Sequence, residues 1–205
     1  MEQNKEMTAQ ESLKLISETL NKTRQEVVRN GGKYFFMWGI LLTVISLVVY
    51  FLVKQTGHHY WNFVWFAMPV IGLPLAHLLK KSEKTVAAEN AISRMNAGIW
   101  GGFGIFACSV AVVSLLCARF GNDPVAAVLA MASITAHIAI LFGMAMFICG
   151  INLNNWIIKV AGFVTGIGGV AVYYLAGQGI ESLLIFTFAG IVLAATGLLV
   201  KYQYK

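Results

Sequence analysis

Val125-Ala-Ala-Val-Leu-Ala-Met-Ala-Ser-Ile-Thr-Ala-His-Ile-Ala-Ile-Leu-Phe-Gly-Met-Ala-Met-Phe-Ile-Cys149 is an apolar run with no Asp, Glu, Lys, Arg, Asn or Pro. A helix rises about 1.5 Å per residue and a bilayer's hydrocarbon core is about 30 Å thick, so about twenty such residues suffice to cross it. The run therefore reads as a transmembrane helix, with His137 near mid-bilayer. Five more apolar runs flank it, and together they predict an all-α fold, an integral membrane bundle of six transmembrane helices. The predicted spans are about 34–53, 60–79, 98–120, 125–149, 156–176 and 180–200.

Composition supports lipid as the main solvent. The chain is 58% hydrophobic and only 12% charged, too apolar to present a normal polar surface to water. Its formal net charge is +6, which in a soluble domain would raise the question of nucleic acid. Here the cations lie between spans, so the bilayer accounts for them and no nucleic-acid partner is expected. Lys and Arg are retained on the cytoplasmic side of membranes. With the N-terminus inside, thirteen basic residues fall on that side and only Lys54 and Arg119 fall outside. The expected location is the cell inner membrane, with both termini cytoplasmic. Tyr34, Trp38, Tyr60, Trp61, Trp100, Trp156, Tyr202 and Tyr204 lie near predicted span ends, where amphipathic rings sit at headgroup level. The three cysteines, Cys108, Cys117 and Cys149, all fall in apolar runs, so no disulfide framework is expected. The polar N-terminus lacks a signal-peptide pattern.

Residues 1–33 form a separate unit before the transmembrane domain at 34–200 and the short tail at 201–205. Thr8-Ala9-Gln10-Glu11 matches a capping box, in which a Thr hydroxyl and a Glu carboxylate satisfy backbone N–H groups of a starting helix. Behind it Leu13, Ile16, Leu20, Thr23 and Val27 recur at three-four spacing, the stripe of an amphipathic helix. That helix either lies on headgroups or the bundle's inner side, or presents Leu13, Ile16, Leu20 and Val27 to a cytoplasmic partner or a second copy. Gly31-Gly32 is expected to let the chain turn before the membrane. A second short amphipathic helix is expected in the polar link 80–97.

Small-residue pairs at four-residue spacing occur in the later spans: Ala107/Ala111, Ala132/Ala136, Ala139/Gly143, Gly162/Gly166 and Gly190/Ala194. Such pairs let helix backbones approach closely in lipid, so spans three to six are expected to form the tight core. Trp38-Gly39, Trp100-Gly101 and Gly162 enter alternate spans at intervals of about sixty residues, the spacing of three like-oriented hairpins.

Three places attract a chemical reading. An ionisable group at bilayer depth is costly and normally faces a partner or cavity; His137 with Ser133, above the small residues Ala130 and Ala126, forms a candidate intramembrane polar site. It serves packing or lines an outward vestibule for a polar solute or proton. Pro69, Gly72 and Pro74 form a candidate hinge in span two, because an internal proline removes a helix hydrogen bond. On the predicted outer side His58, His59, Asp123 and Glu181 are of metal-ligating types, but no ligand spacing ties them together, and no metal site is assigned. No phosphate loop, H-E-x-x-H, G-x-S-x-G or paired intramembrane carboxylates occur. No cofactor is expected, and the chain is read as non-enzymatic.

Glu11-Ser12-Leu13 with Ile16, the Gly-rich turn, Tyr34 to Gly39, Tyr60-Trp61, Trp65 and Met68-Pro69 resemble an uncharacterised family of small six-span bacterial inner-membrane proteins. The resemblance covers roughly residues 10–80. It implies the same architecture and carries no assigned activity. Two functions follow as expectations: a membrane-embedded interaction or sensory/regulatory protein working through its N-terminal helix, or a small-solute or proton-coupled transporter working around His137.

Overall fold

The chain rises as a single helix from its capping box for 48 residues before the first turn. The computed structural model describes residues 8–81, 91–121, 123–175 and 182–203. Among them every regular element is helical: α1 (Ala9–Thr56), α2 (Ala67–Lys81), α3 (Ala91–Phe120), α4 (Pro124–Asn152), α5 (Trp156–Leu175) and α6 (Leu184–Gln203), with a 3₁₀ segment at His59–Phe66 between α1 and α2. Half of the link 80–97, residues 82–90, lies outside the described residues; Lys80 and Lys81 end α2, and the part from Ala91 already belongs to α3. Among the described residues five stretches are long and apolar enough to cross a membrane: Ala9–Thr56, Tyr60–Lys81, Ala91–Cys117, Ser133–Asn152 and Leu184–Gln203. α5 contributes a shorter apolar stretch, Trp156–Val172.

Local chemistry sets the ends. Thr8 accepts from the Glu11 N–H while Glu11 accepts from the Thr8 N–H, closing the capping box. α1 stops at Gly57, whose φ of 70° is the left-handed conformation that glycine adopts without a Cβ clash. Asp123 caps α4 by accepting from the Val125 N–H, with Pro124 in the first helical position, where no N–H is needed.

The predicted turn at Gly31-Gly32 is not made, which corrects the expectation that the chain turns there. α1 runs straight through both glycines. The reason is packing: a Cβ on Gly32 would come within 2.9 Å of the Gly197 carbonyl oxygen on α6. The glycine is used for close approach, and the helix continues.

The same device recurs along the seam. Gly39 lies against the backbone of Gly190 and Ala194, Gly190 against Thr43, and Gly197 against Phe36. α1 and α6 thus run antiparallel in backbone contact. α4 and α5 form a second such pair, where Gly143 meets Gly162 and Gly166, and Gly169 meets Ala139 and Ile140. The expectation of a tight core in spans three to six needs correction in part. Gly162/Gly166 and Ala139/Gly143 sit in a close seam, but Gly190/Ala194 packs on α1, and the α3 glycines take no part in a close contact. A Cβ at Gly98, Gly101, Gly102 or Gly104 of α3 would meet nothing within 4 Å. α3 packs along α4, and its Trp100 ring lies 6.3 Å from Phe35 and 5.7 Å from Phe142.

Neighbouring helices alternate in direction. Lys33 reaches the Leu79 carbonyl, Asn152 reaches Asn96, and Asn155 reaches Gln203, so these residues share one end of the bundle. Thr56, Phe120 and Leu184 lie at the other.

Packing at the α1–α6 seam gives a direct test. Gly39→Val should lower stability in detergent by about 1–3 kcal/mol, the usual range for overpacking a close contact. Gly101→Ala should be neutral or stabilising, because it adds a methyl group in open space and removes glycine's helix cost of up to about 1 kcal/mol. Thermal unfolding followed by tryptophan fluorescence separates the two, and equal losses would contradict the packing described.

Candidate functional site

The part of α1 preceding the bundle is the most exposed region of the described chain. From Thr8 to Lys22 every residue except Ser12 is exposed. Leu13 is 67% exposed, Ile16 56% and Leu20 44%. The same stripe then runs into the bundle: Thr23, Arg24 and Val27 are half-buried and Val28 is buried in the core with Phe35, Leu153, Ile158 and Val200. At about 100° per residue, Leu13, Ile16 and Leu20 share a face with Thr23, Arg24 and Val27. Glu11, Lys14, Glu18, Lys22 and Arg29 lie toward the opposite side. Of these, Lys14 and Glu18 approach at 4.0 Å in an exposed i,i+4 pair, an interaction worth only a few tenths of a kcal/mol.

Length separates this segment from the membrane-sized part of the helix. Residues 9–33 account for about 37 Å of rise beyond the predicted first span. The segment is continuous with the helix of that span and its first fifteen described residues are almost all exposed, so the stripe stands away from the bundle.

Below the stripe, a polar layer joins helices distant in sequence. Asn155, only 1% exposed, donates to the Gln203 side-chain oxygen at 3.0 Å and accepts from the Ile158 N–H at 3.2 Å, capping α5 while tying it to α6. Asn152 donates to Asn96 at 2.8 Å, tying α4 to α3. Lys33 donates to the Leu79 carbonyl at 3.4 Å, at the C-terminal end of α2, where a cation meets the negative end of the helix dipole. Arg24 differs from these groups. Its Nε is buried and has no hydrogen-bond acceptor among the described residues.

The other predicted site residues take separate places. His137 lies on the exposed side of α4 with Nδ1 2.8 Å from the Ser133 carbonyl, one turn back on its own helix. Since a carbonyl only accepts, that contact places the proton on Nδ1. Pro69 falls in the first turn of α2, just after the 3₁₀ segment, and the helix continues through Pro74. Gly72 is covered by the Trp38 indole, which occupies the space a Cβ would need, so its smallness serves the α1–α2 contact. His58 stacks on Tyr60 with ring centroids 5.2 Å apart, and Asp123 is engaged as a helix cap. Glu181 lies outside the described residues. Among the described residues no group of three or more His, Cys, Asp or Glu is placed to hold a metal ion.

Arg24 and the asparagine layer were not singled out from the sequence. The pair Asn154-Asn155 in the six-residue gap between the apolar runs 125–149 and 156–176 is the one available signal, since a short link there must satisfy both helix ends. No family model, curated protein or solved structure matches the chain.

The capping box makes the projecting helix pH-sensitive. The Thr8 backbone N–H and then its hydroxyl, both bonded to the Glu11 carboxylate, hold its pKa below the ordinary 4.5. A lowered carboxylate pKa adds stability that is complete above the ordinary value and is lost as pH falls through the folded one. Backbone chemical shifts of residues 9–13 should therefore keep helical values down to the ordinary carboxylate range and lose them below it. Glu11→Gln should remove that pH dependence, and an unchanged profile would contradict the box.

Proposed function

We propose that the chain is a six-span protein of a bacterial inner membrane, with both termini in the cytoplasm, and that it acts as a non-enzymatic interaction or regulatory protein. The observation that carries this reading is the unbroken α1, whose exposed Leu13, Ile16 and Leu20 continue a face that is buried farther along the same helix. Large apolar side chains aligned on a face that stands in water mark a docking surface more often than chance exposure does. Helix-in-groove recognition reads such i, i+3, i+7 anchors. The basic residues Lys33, Lys80, Lys81, Arg94, Lys159 and Lys201 lie toward the end of the bundle from which this segment projects, which supports a cytoplasmic location by charge asymmetry.

A rigid helix that both docks a partner and packs through Gly32 and Gly39 against α6 connects the two surfaces mechanically. Binding that shifts the projecting segment must act on the α1–α6 seam, because no break separates them. Both a cytoplasmic protein and a second copy remain occupants of this surface in the interaction reading. His137, exposed and bonded to its own helix, gives less support to the transporter reading, which needs an enclosed polar site.

Cysteine protection in native membranes tests the proposal. In a background lacking Cys108, Cys117 and Cys149, a cysteine at Leu20 should react with an impermeant maleimide more slowly than one at Lys22, on the opposite face. The difference should vanish after purification. Both should label from the cytoplasmic side only. Equal reactivity of the two positions in membranes, or labelling from the periplasm, would overturn the reading.

A further inference from the structure

We infer that the projecting stripe and Arg24 together form the docking site for an amphipathic cytoplasmic polypeptide segment that brings a carboxylate to Arg24. The inference rests on the interaction reading above and names the chemistry of the partner.

The face of α1 that carries Leu13, Ile16 and Leu20 also carries Ala9, Ser17, Thr23, Arg24 and Val27, and Arg24 is its one charged residue. The remaining charges of the segment lie on the other side. Arg24 stands where the stripe meets the bundle, about one turn beyond Leu20, half-buried, with a buried Nε lacking an acceptor among the described residues. A guanidinium group cannot shed its charge, and a half-buried one whose Nε has no acceptor among the described residues carries a desolvation cost that a carboxylate would relieve by pairing with it. An apolar stripe ending in a half-buried cation is complementary to a helix with aligned apolar side chains and an acidic residue at one end.

Two other occupants fit less well. Copies held in one membrane share orientation, so a twofold dimer through this face would set Arg24 against the partner copy's Arg24 with no carboxylate on the face to separate them, and facing like charges are destabilising. A lipid surface could supply a phosphate to Arg24. It would not cover Leu13, which stands about 30 Å of helical rise before Lys33 at the predicted inner boundary.

Photo-cross-linking from position 20 of the full chain in native membranes tests the site. A benzophenone side chain at Leu20 should give one discrete adduct with a different protein, and the captured peptide should contain Asp or Glu near its apolar residues. Arg24→Glu should reduce that adduct by at least about tenfold, in keeping with loss of a buried charge pair. Arg29→Glu, on the opposite face, should leave it unchanged. Reversing the captured carboxylate to Lys should restore the adduct in the Arg24→Glu chain. A hetero-adduct indifferent to Arg24→Glu overturns this inference and leaves the interaction reading standing. An adduct of two copies or of phospholipid overturns it as well, and the absence of any discrete adduct overturns both.

Discussion

Backbone contact between α1 and α6 is the constraint on which the rest of the structure depends. In the membrane setting proposed for this chain, apolar side chains would gain nothing from leaving one hydrocarbon surface for another, so close packing and mutually bonded polar groups would hold the helices together. Gly32 and Gly39 on α1, with Gly190, Ala194 and Gly197 on α6, provide the first. Ser46, bonded to the Leu183 carbonyl and 2.9 Å from the Thr187 hydroxyl, adds the second near the far end of the same seam. Once these two helices are locked antiparallel, α1 has one permitted direction, and everything before residue 23 extends out of the bundle along it.

Much of the architecture is legible in the chain because its signals are strong and local. Apolar runs of membrane length, the Thr8–Glu11 box and the proline after Asp123 place helices and several of their ends, with α3 beginning earlier than the hydropathy alone indicates. Partner choice among helices is far less legible. α6 is apolar around most of its circumference, so nothing in its periodicity distinguishes the face toward α1 from its outward face. Gly190/Ala194 was visible as a close-packing pair, but its partner was not. Gly31-Gly32 is ambiguous for a related reason: glycine permits a turn and also permits contact, and only the position of Gly197 decides between them.

The candidate site divides in the same way. Leu13, Ile16, Leu20 and Val27 form a stripe that three-four spacing reveals at once, although Val27 proves half-buried by the bundle while the first three stand exposed. Arg24 looks in the sequence like one more solvated charge on an amphipathic helix. Its significance comes from depth: it lies on the inward side, where the helix passes into contact with the bundle. His137 illustrates the reverse case. It is conspicuous in the sequence as a lone histidine in an apolar run, yet its ring nitrogen meets the carbonyl of its own preceding turn on the open side of α4.

Continuity of α1 through Gly31-Gly32 is the central claim, since both the projection of the stripe and its coupling to the α6 seam follow from it. The most direct measurement is the distance between spin labels at Lys14 and Val48, both exposed positions, in a cysteine-free background reconstituted in lipid. An unbroken helix places these positions about 51 Å apart with a narrow distribution. A right-angle turn at the two glycines would bring them to about 36 Å and would contradict the account.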